Sequence, residues 1–205
     1  MTRILVTGFE RFGPNDLNPS ALLMDRLSSM DGVVAAVLPV EYGTSVARFE
    51  VLLERHRPDA AIAFGLARCT DRIRLERVAL NLDEAAVPDN AGVVRSGLRI
   101  AEDGPVGYWS TLPVDGLIAA LEAAGIPATV SGHAGGYVCN HLFYGVRHGI
   151  ERRGSAMPMG FVHLPPLPEQ VAGEAGRTGM DLETQERAAV ILLNGVRAIT
   201  KAAMA

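Results

Sequence analysis

Two cysteines in 205 residues are too few for a disulfide framework. No Cys/His spacing along the chain matches a zinc site, so both thiols are expected to be free and no metal or other cofactor is expected. Basic charge is equally sparse: Lys and Arg are scattered and the net charge is −4, which gives no stripe for a phosphate backbone or an anionic membrane. The first residues, MTRILVTG, enter an apolar strand at once, without the basic flank and long apolar segment of a secretion signal or membrane span. A cytoplasmic protein without nucleic-acid or membrane partners is expected. Repeats and low-complexity blocks are also lacking. The loop after the first strand has neither GxGxxG nor a P-loop lysine, so a nucleotide-binding reading rests only on the strand-then-glycine step at Gly8.

What is present is an alternation of apolar runs and amphipathic segments. Residues 3–7 read as a buried strand closed by Gly8, 33–40 as a second and 60–64 as a third ending at Gly65. Between them, Asn18 followed by Pro19 starts a helix with Leu22, Leu23 and Leu27 inward. Val46, Phe49, Leu52 and Leu53 mark another from Thr44 to Arg57, stopped by Pro58. Val114, Leu117, Ile118 and Leu121 give a third helix, ended by Gly125. Residues 128–130 are a further strand, and MGFVHLPPLPEQ, 159–170, offers a final buried one with Pro165 and Pro166 fixing its exit. A long helix runs from Asp181 to Ala205 with Ala188, Ile191, Leu192, Gly195 and Ile199 inward. This order predicts one α/β domain over residues 1–205, with a largely parallel sheet covered on both faces.

The stretch SGHAGGYVCNHLFY, residues 131–144, carries the most chemistry. A small-residue turn leads into a helical pattern (Leu142, Phe143, Val146, Ile150) that puts Cys139 in the first turn. Unpaired amides and the positive end of the helix dipole there are expected to lower the thiol pKa well below that of a free cysteine. A buried core cysteine is the alternative reading.

His163 falls at the carboxyl end of the last strand, and a doubly wound sheet gathers such termini along one edge. Thiol plus imidazole is the minimal nucleophile and base for acyl transfer. Glu76 shares strand parity with Val78, Leu80 and Leu82, so its carboxylate needs a partner. That partner is either the far nitrogen of His163 or a neighbouring arginine, Arg74 or Arg77. His141, His148 and His56 face elsewhere, and His133 is held in reserve. Phe9 and Phe12 stand beside the carboxyl end of the first strand, either lining a crevice or packing over the sheet edge.

In order, GFERFGPNDLNPS, ERVALNLDEAAVPDN, SGHAGGYVCNHLFYG and GFVHLPPLPEQ resemble the four signature segments of pyroglutamyl peptidase type I, from about residue 4 to 170. The resemblance implies a cysteine exopeptidase that removes an N-terminal pyroglutamyl residue from peptides through a thioester, with Glu76, Cys139 and His163 as its triad. It also implies an α/β/α sandwich with a mixed sheet, frequent homotetramers, and an apolar lactam pocket formed by Phe9, Phe12, Asn18 and backbone at Gly65 and Leu66.

Two departures stand out. ARCT (Ala67 to Thr70) replaces an AGGR-like stretch, and Ala86 stands where the family has an arginine. A respecialised or inactive relative that binds pyroglutamyl-like ligands is therefore the alternative, unless Arg68 or Arg72 substitutes. Cys69 is expected close to the pocket.

Overall fold

A computed structural model describes residues 2–13 and 16–203. Pro14 and Asn15 of the first signature segment, with Met1 and the expected helical residues Met204 and Ala205, lie outside them. The elements in chain order are β1 (Ile4–Phe9), α1 (Pro19–Leu27), β2 (Val33–Leu38), α2 (Thr44–His56), β3 (Ala60–Leu66) and β4 (Ile73–Leu80). They continue with β5 (Asp83–Ala85), β6 (Arg95–Leu98), β7 (Gly107–Trp109), α3 (Val114–Ala123), β8 (Ala128–His133), α4 (Val138–Arg152), β9 (Met159–Leu164) and α5 (Leu182–Ala203).

The sheet runs β2-β1-β3-β9-β4, with the first four strands mutually parallel and β4 antiparallel to β9. One edge of β4 is divided between β9, at Arg74–Glu76, and β7, at Val78–Leu80. Its other edge takes β8 in parallel. Helices α1, α3 and α5 pack on one face and α2 and α4 on the other. The result is the expected three-layer α/β/α sandwich with a mixed, mostly parallel sheet. β1, β3 and β9 are buried throughout because both faces are covered, which is why they read as continuous apolar runs.

Strand parity decides what meets α4. In β9, Val162 and Leu164 point to the α1/α3/α5 layer, so Met159, Phe161 and His163 point to α4. In β4, Ile73 and Leu75 join the first layer, which turns Arg74 and Glu76 toward α4 as well. The expected row beside Glu76 needs correction: β4 ends at Leu80, Val78 and Leu80 are only half-buried, and Leu82 lies exposed beyond the strand. In the tail of β4 it is Ala79 that is buried on the α4 side, while β7 pairs along the strand's edge.

The expected gathering of strand ends along one edge is also corrected. Because β8 runs opposite to β9, it ends at His133 beside Val78, past Glu76 and away from the pairing of Arg74 with His163. The chain therefore doubles back through 134–137 over the sheet face before α4 begins. Helix α5 turns Gln185, Ala188, Ala189, Leu192, Leu193, Val196 and Thr200 inward, leaving Ile191, Gly195 and Ile199 half-buried at its margin. Asn18 caps α1 as expected, its Oδ1 accepting from the Ser20 amide.

Candidate active site

Asn140 fixes where α4 begins. Its buried carboxamide accepts from the Leu80 amide and donates to the carbonyls of Leu80 and Leu82, each at 2.9 Å, so the end of β4 is tied to the first turn of α4. Cys139 is the second residue of that helix, whose N-cap, Tyr137, offers no side-chain cap to the first-turn amides. The sulfur rests on β3: a Cβ added at Gly65 would lie 3.0 Å from Cys139 Sγ and 2.9 Å from the Phe161 ring. Gly65 thus lies beneath the thiol, where any side chain would displace it. Gly135, in the left-handed region at φ 85°, makes the turn that returns the chain to this point.

His163 stands one strand from Glu76, and its Nδ1 is 2.8 Å from Glu76 Oε1. Glu76 is fully buried and His163 is 6% exposed. Arg74 Nε also approaches Glu76 Oε1, at 3.5 Å, so both partners considered for this carboxylate are present, and Arg77 instead pairs with Asp115 at the surface. With Nδ1 directed at the carboxylate, Nε2 is the ring nitrogen left for the thiol. Cys139 and His163 line the same cavity, without a direct hydrogen bond between them among the described residues. Such contacts commonly close only in a substrate complex.

The expected low pKa of Cys139 is not what this environment produces. Burial, and then the negative charge of Glu76, push the thiol up to about 12, against the opposing effect of its own backbone amide. Desolvation of a thiolate outweighs the helix-terminal donors.

The cavity measures about 130 Å³, far below the ~300–1,000 Å³ of drug-sized sites, and suits one small ring. Phe9, Phe12, Asn18 and Leu66 line it, as do Val40, Tyr137 and the backbone of 134–136. The Phe9 and Phe161 rings are 6.4 Å apart, and Phe12 tilts against Tyr137 at 6.1 Å. Asn18 is 3% exposed, holding Ser20 through Oδ1 and donating from Nδ2 to the Glu10 carbonyl. Sequence reasoning missed Val40 and Tyr137. The position of Tyr137 directly before the cysteine helix was the available signal, whereas Val40 is brought in by the bend that follows β2.

Among the described residues, neither Arg68 nor Arg72 belongs to the lining of the cavity. Arg68 bonds Glu174 and the Gln170 carbonyl, and Arg72 pairs with Asp71. Thr70 closes its own loop onto Arg72, and Ala86 is exposed. Cys69 is exposed and outside the cavity lining, its Sγ 3.8 Å from Arg74 Nη1. The other histidines are engaged elsewhere: His141 with Asp83 and the Gly43 amide, His148 with Tyr108 and Asp103, His133 with the Gly135 amide. Gly8, the sole support for nucleotide binding, is the contact point of α1, since a Cβ there would lie 2.2 Å from the Ser20 carbonyl oxygen.

Fold and cavity together define an α/β/α protein with a thiol, an imidazole and a buried carboxylate on one face of its sheet. The chain belongs to the pyroglutamyl peptidase family, whose model matches residues 2–202. It is 44% identical to the pyrrolidone-carboxylate peptidase of Gloeobacter violaceus, over 95% of this chain and 97% of that one. The Brevibacillus brevis protein of the same name is 39% identical, over 90% and 87%. Among solved structures, pyroglutamyl peptidase I from Bacillus amyloliquefaciens superposes with a TM-score of 0.92 at 35% identity, covering 95% of this chain and 94% of that one. Pyrrolidone carboxyl peptidase from Pyrococcus furiosus gives 0.92 at 33%, covering 97% and 100%.

Proposed function

We propose that this protein is a cysteine exopeptidase that hydrolyses the amide bond after an N-terminal pyroglutamyl residue, with Cys139 as nucleophile, His163 as base and acid, and Glu76 as the group that orients His163. The observation that carries the assignment is the Glu76–His163 contact at 2.8 Å beside a cavity shared by Cys139 and His163. Membership of the pyroglutamyl peptidase family supports the substrate class. The alternative of an inactive or respecialised relative, weighed from Thr70 and Ala86, is not supported by relatives named pyrrolidone-carboxylate peptidase at 37–44% identity.

His163 Nε2 takes the thiol proton as Sγ attacks the pyroglutamyl carbonyl. Charge then develops on the carbonyl oxygen, where the first-turn amides of α4 donate. Collapse of this intermediate breaks the C–N bond, and the imidazolium gives its proton to the departing amine. Water, deprotonated by His163, next attacks the thioester; pyroglutamate leaves and the thiol regains its proton. No metal or cofactor enters these steps. The lactam is uncharged and half apolar, which fits the cavity lined by Phe9, Phe12, Leu66 and Asn18; Gly65, also expected in the pocket, lies under the thiol and not in the lining.

We further assign the protein to the cytoplasm as a homo-oligomer, a dimer or tetramer, without nucleic-acid or membrane partners. The net charge of −4 and scattered basic residues support the want of a nucleic-acid or anionic-membrane partner, the oligomer follows from the family resemblance alone, and no helix among the described residues is long and apolar enough to cross a membrane.

Release of an aromatic amine from a pyroglutamyl amide, compared with the prolyl and glutamyl amides, tests the proposal. Turnover confined to the pyroglutamyl compound, and reduced at least about a thousandfold in Cys139→Ser, is expected. Equal turnover of the prolyl amide, or an undiminished serine variant, would refute it.

A further inference from the structure

Glu76 does not face His163 alone. Arg74 lies two residues earlier on the same side of β4, directly across from His163 in the β4–β9 register, and both side chains converge on Glu76 Oε1. The guanidinium is itself held in place: Nη2 donates to Ser131 Oγ on β8, whose hydroxyl donates to the His133 carbonyl, while Nη1 points at Cys69 Sγ from the 67–72 loop. Among the described residues Glu76 Oε2 has no hydrogen-bond partner, and the carboxylate is fully buried.

A fully buried carboxylate with one oxygen unpartnered is costly to keep in place unless a charged group faces it. The ionisable groups facing Glu76 are His163 from β9, Cys139 from the start of α4 and Arg74 from its own strand; β8 and the 67–72 loop present Ser131 and Cys69 to the arginine. Arg74 is the guanidinium that meets this buried carboxylate, on the same oxygen as His163. We propose that Arg74 is a positioning residue for the hydrolysis: it pairs with Glu76 and keeps it turned, so that His163 presents Nε2 to the thiol. This inference rests on the roles given above to Glu76, Cys139 and His163. Arg74 does not line the cavity, so its effect falls on turnover and not on substrate binding.

The test is kcat and KM for a pyroglutamyl amide between about pH 5 and 9 in Arg74→Met, Arg74→Lys and Ser131→Ala. Without the guanidinium, Glu76 loses the group that holds it against His163, so Arg74→Met is expected to lower kcat at least about tenfold with KM within about twofold. Arg74→Lys recovers most of the loss, because it restores charge without the planar fork. Ser131→Ala, which leaves every charge in place, lowers kcat by less and keeps the comparison open should Arg74→Met not fold. A kcat in Arg74→Met within about twofold of the wild type, equal losses in the Lys and Met variants, or a rise in KM with kcat intact would overturn the inference. If Cys139→Ser is inactive while Arg74→Met behaves as wild type, only this inference fails. If Cys139→Ser is active, the assignment beneath it fails.

Discussion

Two influences act on Cys139 in opposite directions. The helix start offers donors to a thiolate, while burial and Glu76 disfavour it, and the second pair prevails, pushing the thiol up to about 12. Reactivity near neutrality must then come from proton transfer to His163 and not from a standing thiolate. Alkylation of the wild type by a neutral reagent is expected to proceed near neutral pH, and the curve for His163→Ala to move toward the far alkaline range. Mass identification of the modified cysteine checks this, with exposed Cys69 as internal reference. Unchanged alkylation in His163→Ala would mean that the helix terminus suffices. Gly65 supports a second test: Gly65→Ala forces a methyl against Sγ and Phe161, at an expected cost of about 1–3 kcal/mol in thermal denaturation and a tenfold or greater loss of kcat. The side chains proposed to react, Cys139, His163 and Glu76, could be singled out in the sequence because their types are few and their neighbours distinctive. The role of Gly65 was not, because its constraint comes from a sulfur 74 residues further along the chain.

Among the elements, the junction of β4 with α4 carries the most weight, since it sets Cys139 relative to Glu76. Asn140 satisfies three backbone groups there, and Asn140→Leu leaves them without partners. A loss of about 2–3 kcal/mol is expected, lowering Tm by about 5–10 °C. A Tm within about 2 °C of wild type would show that the clamp is redundant. Strands and helices with long, uniform patterns were readable: β1, β3, β9, α2 and α3 fall within a few residues of their expected spans. Between Leu82 and Trp109 the individual strand spans were not, because β5, β6 and β7 have three or four residues each and show no period. The β5–β6 hairpin is pinned by side chains, with Asp83 held by His141 and by Arg95. The direction of β8 was hidden too, since a strand's apolar pattern is the same whichever way it runs.

At the scale of the whole molecule, buried acids that keep their protons make the fold sensitive to alkali. Cys139, Tyr137 and Tyr144 are each raised to about 12, chiefly by burial, and Tyr42 is raised further for the same reason. Between the ordinary values of these groups and their raised ones, the unfolded chain binds fewer protons than the folded one, so stability falls as pH rises. Denaturant midpoints are expected to be level below about pH 8.5 and to decline from there toward pH 12, less steeply in Cys139→Ala. A midpoint that rises over this range would contradict the sign.

The central claim, that Cys139 attacks the pyroglutamyl carbonyl with His163 and Glu76 behind it, is tested most directly by acid-quenching the enzyme during turnover of a pyroglutamyl ester and mapping the acylated peptide by mass. A pyroglutamyl thioester on Cys139, absent from Cys139→Ser and accumulating more slowly in Glu76→Gln, is the predicted result. Acylation at Cys69 instead, or steady turnover with Cys139 unmodified in every quench, would contradict it.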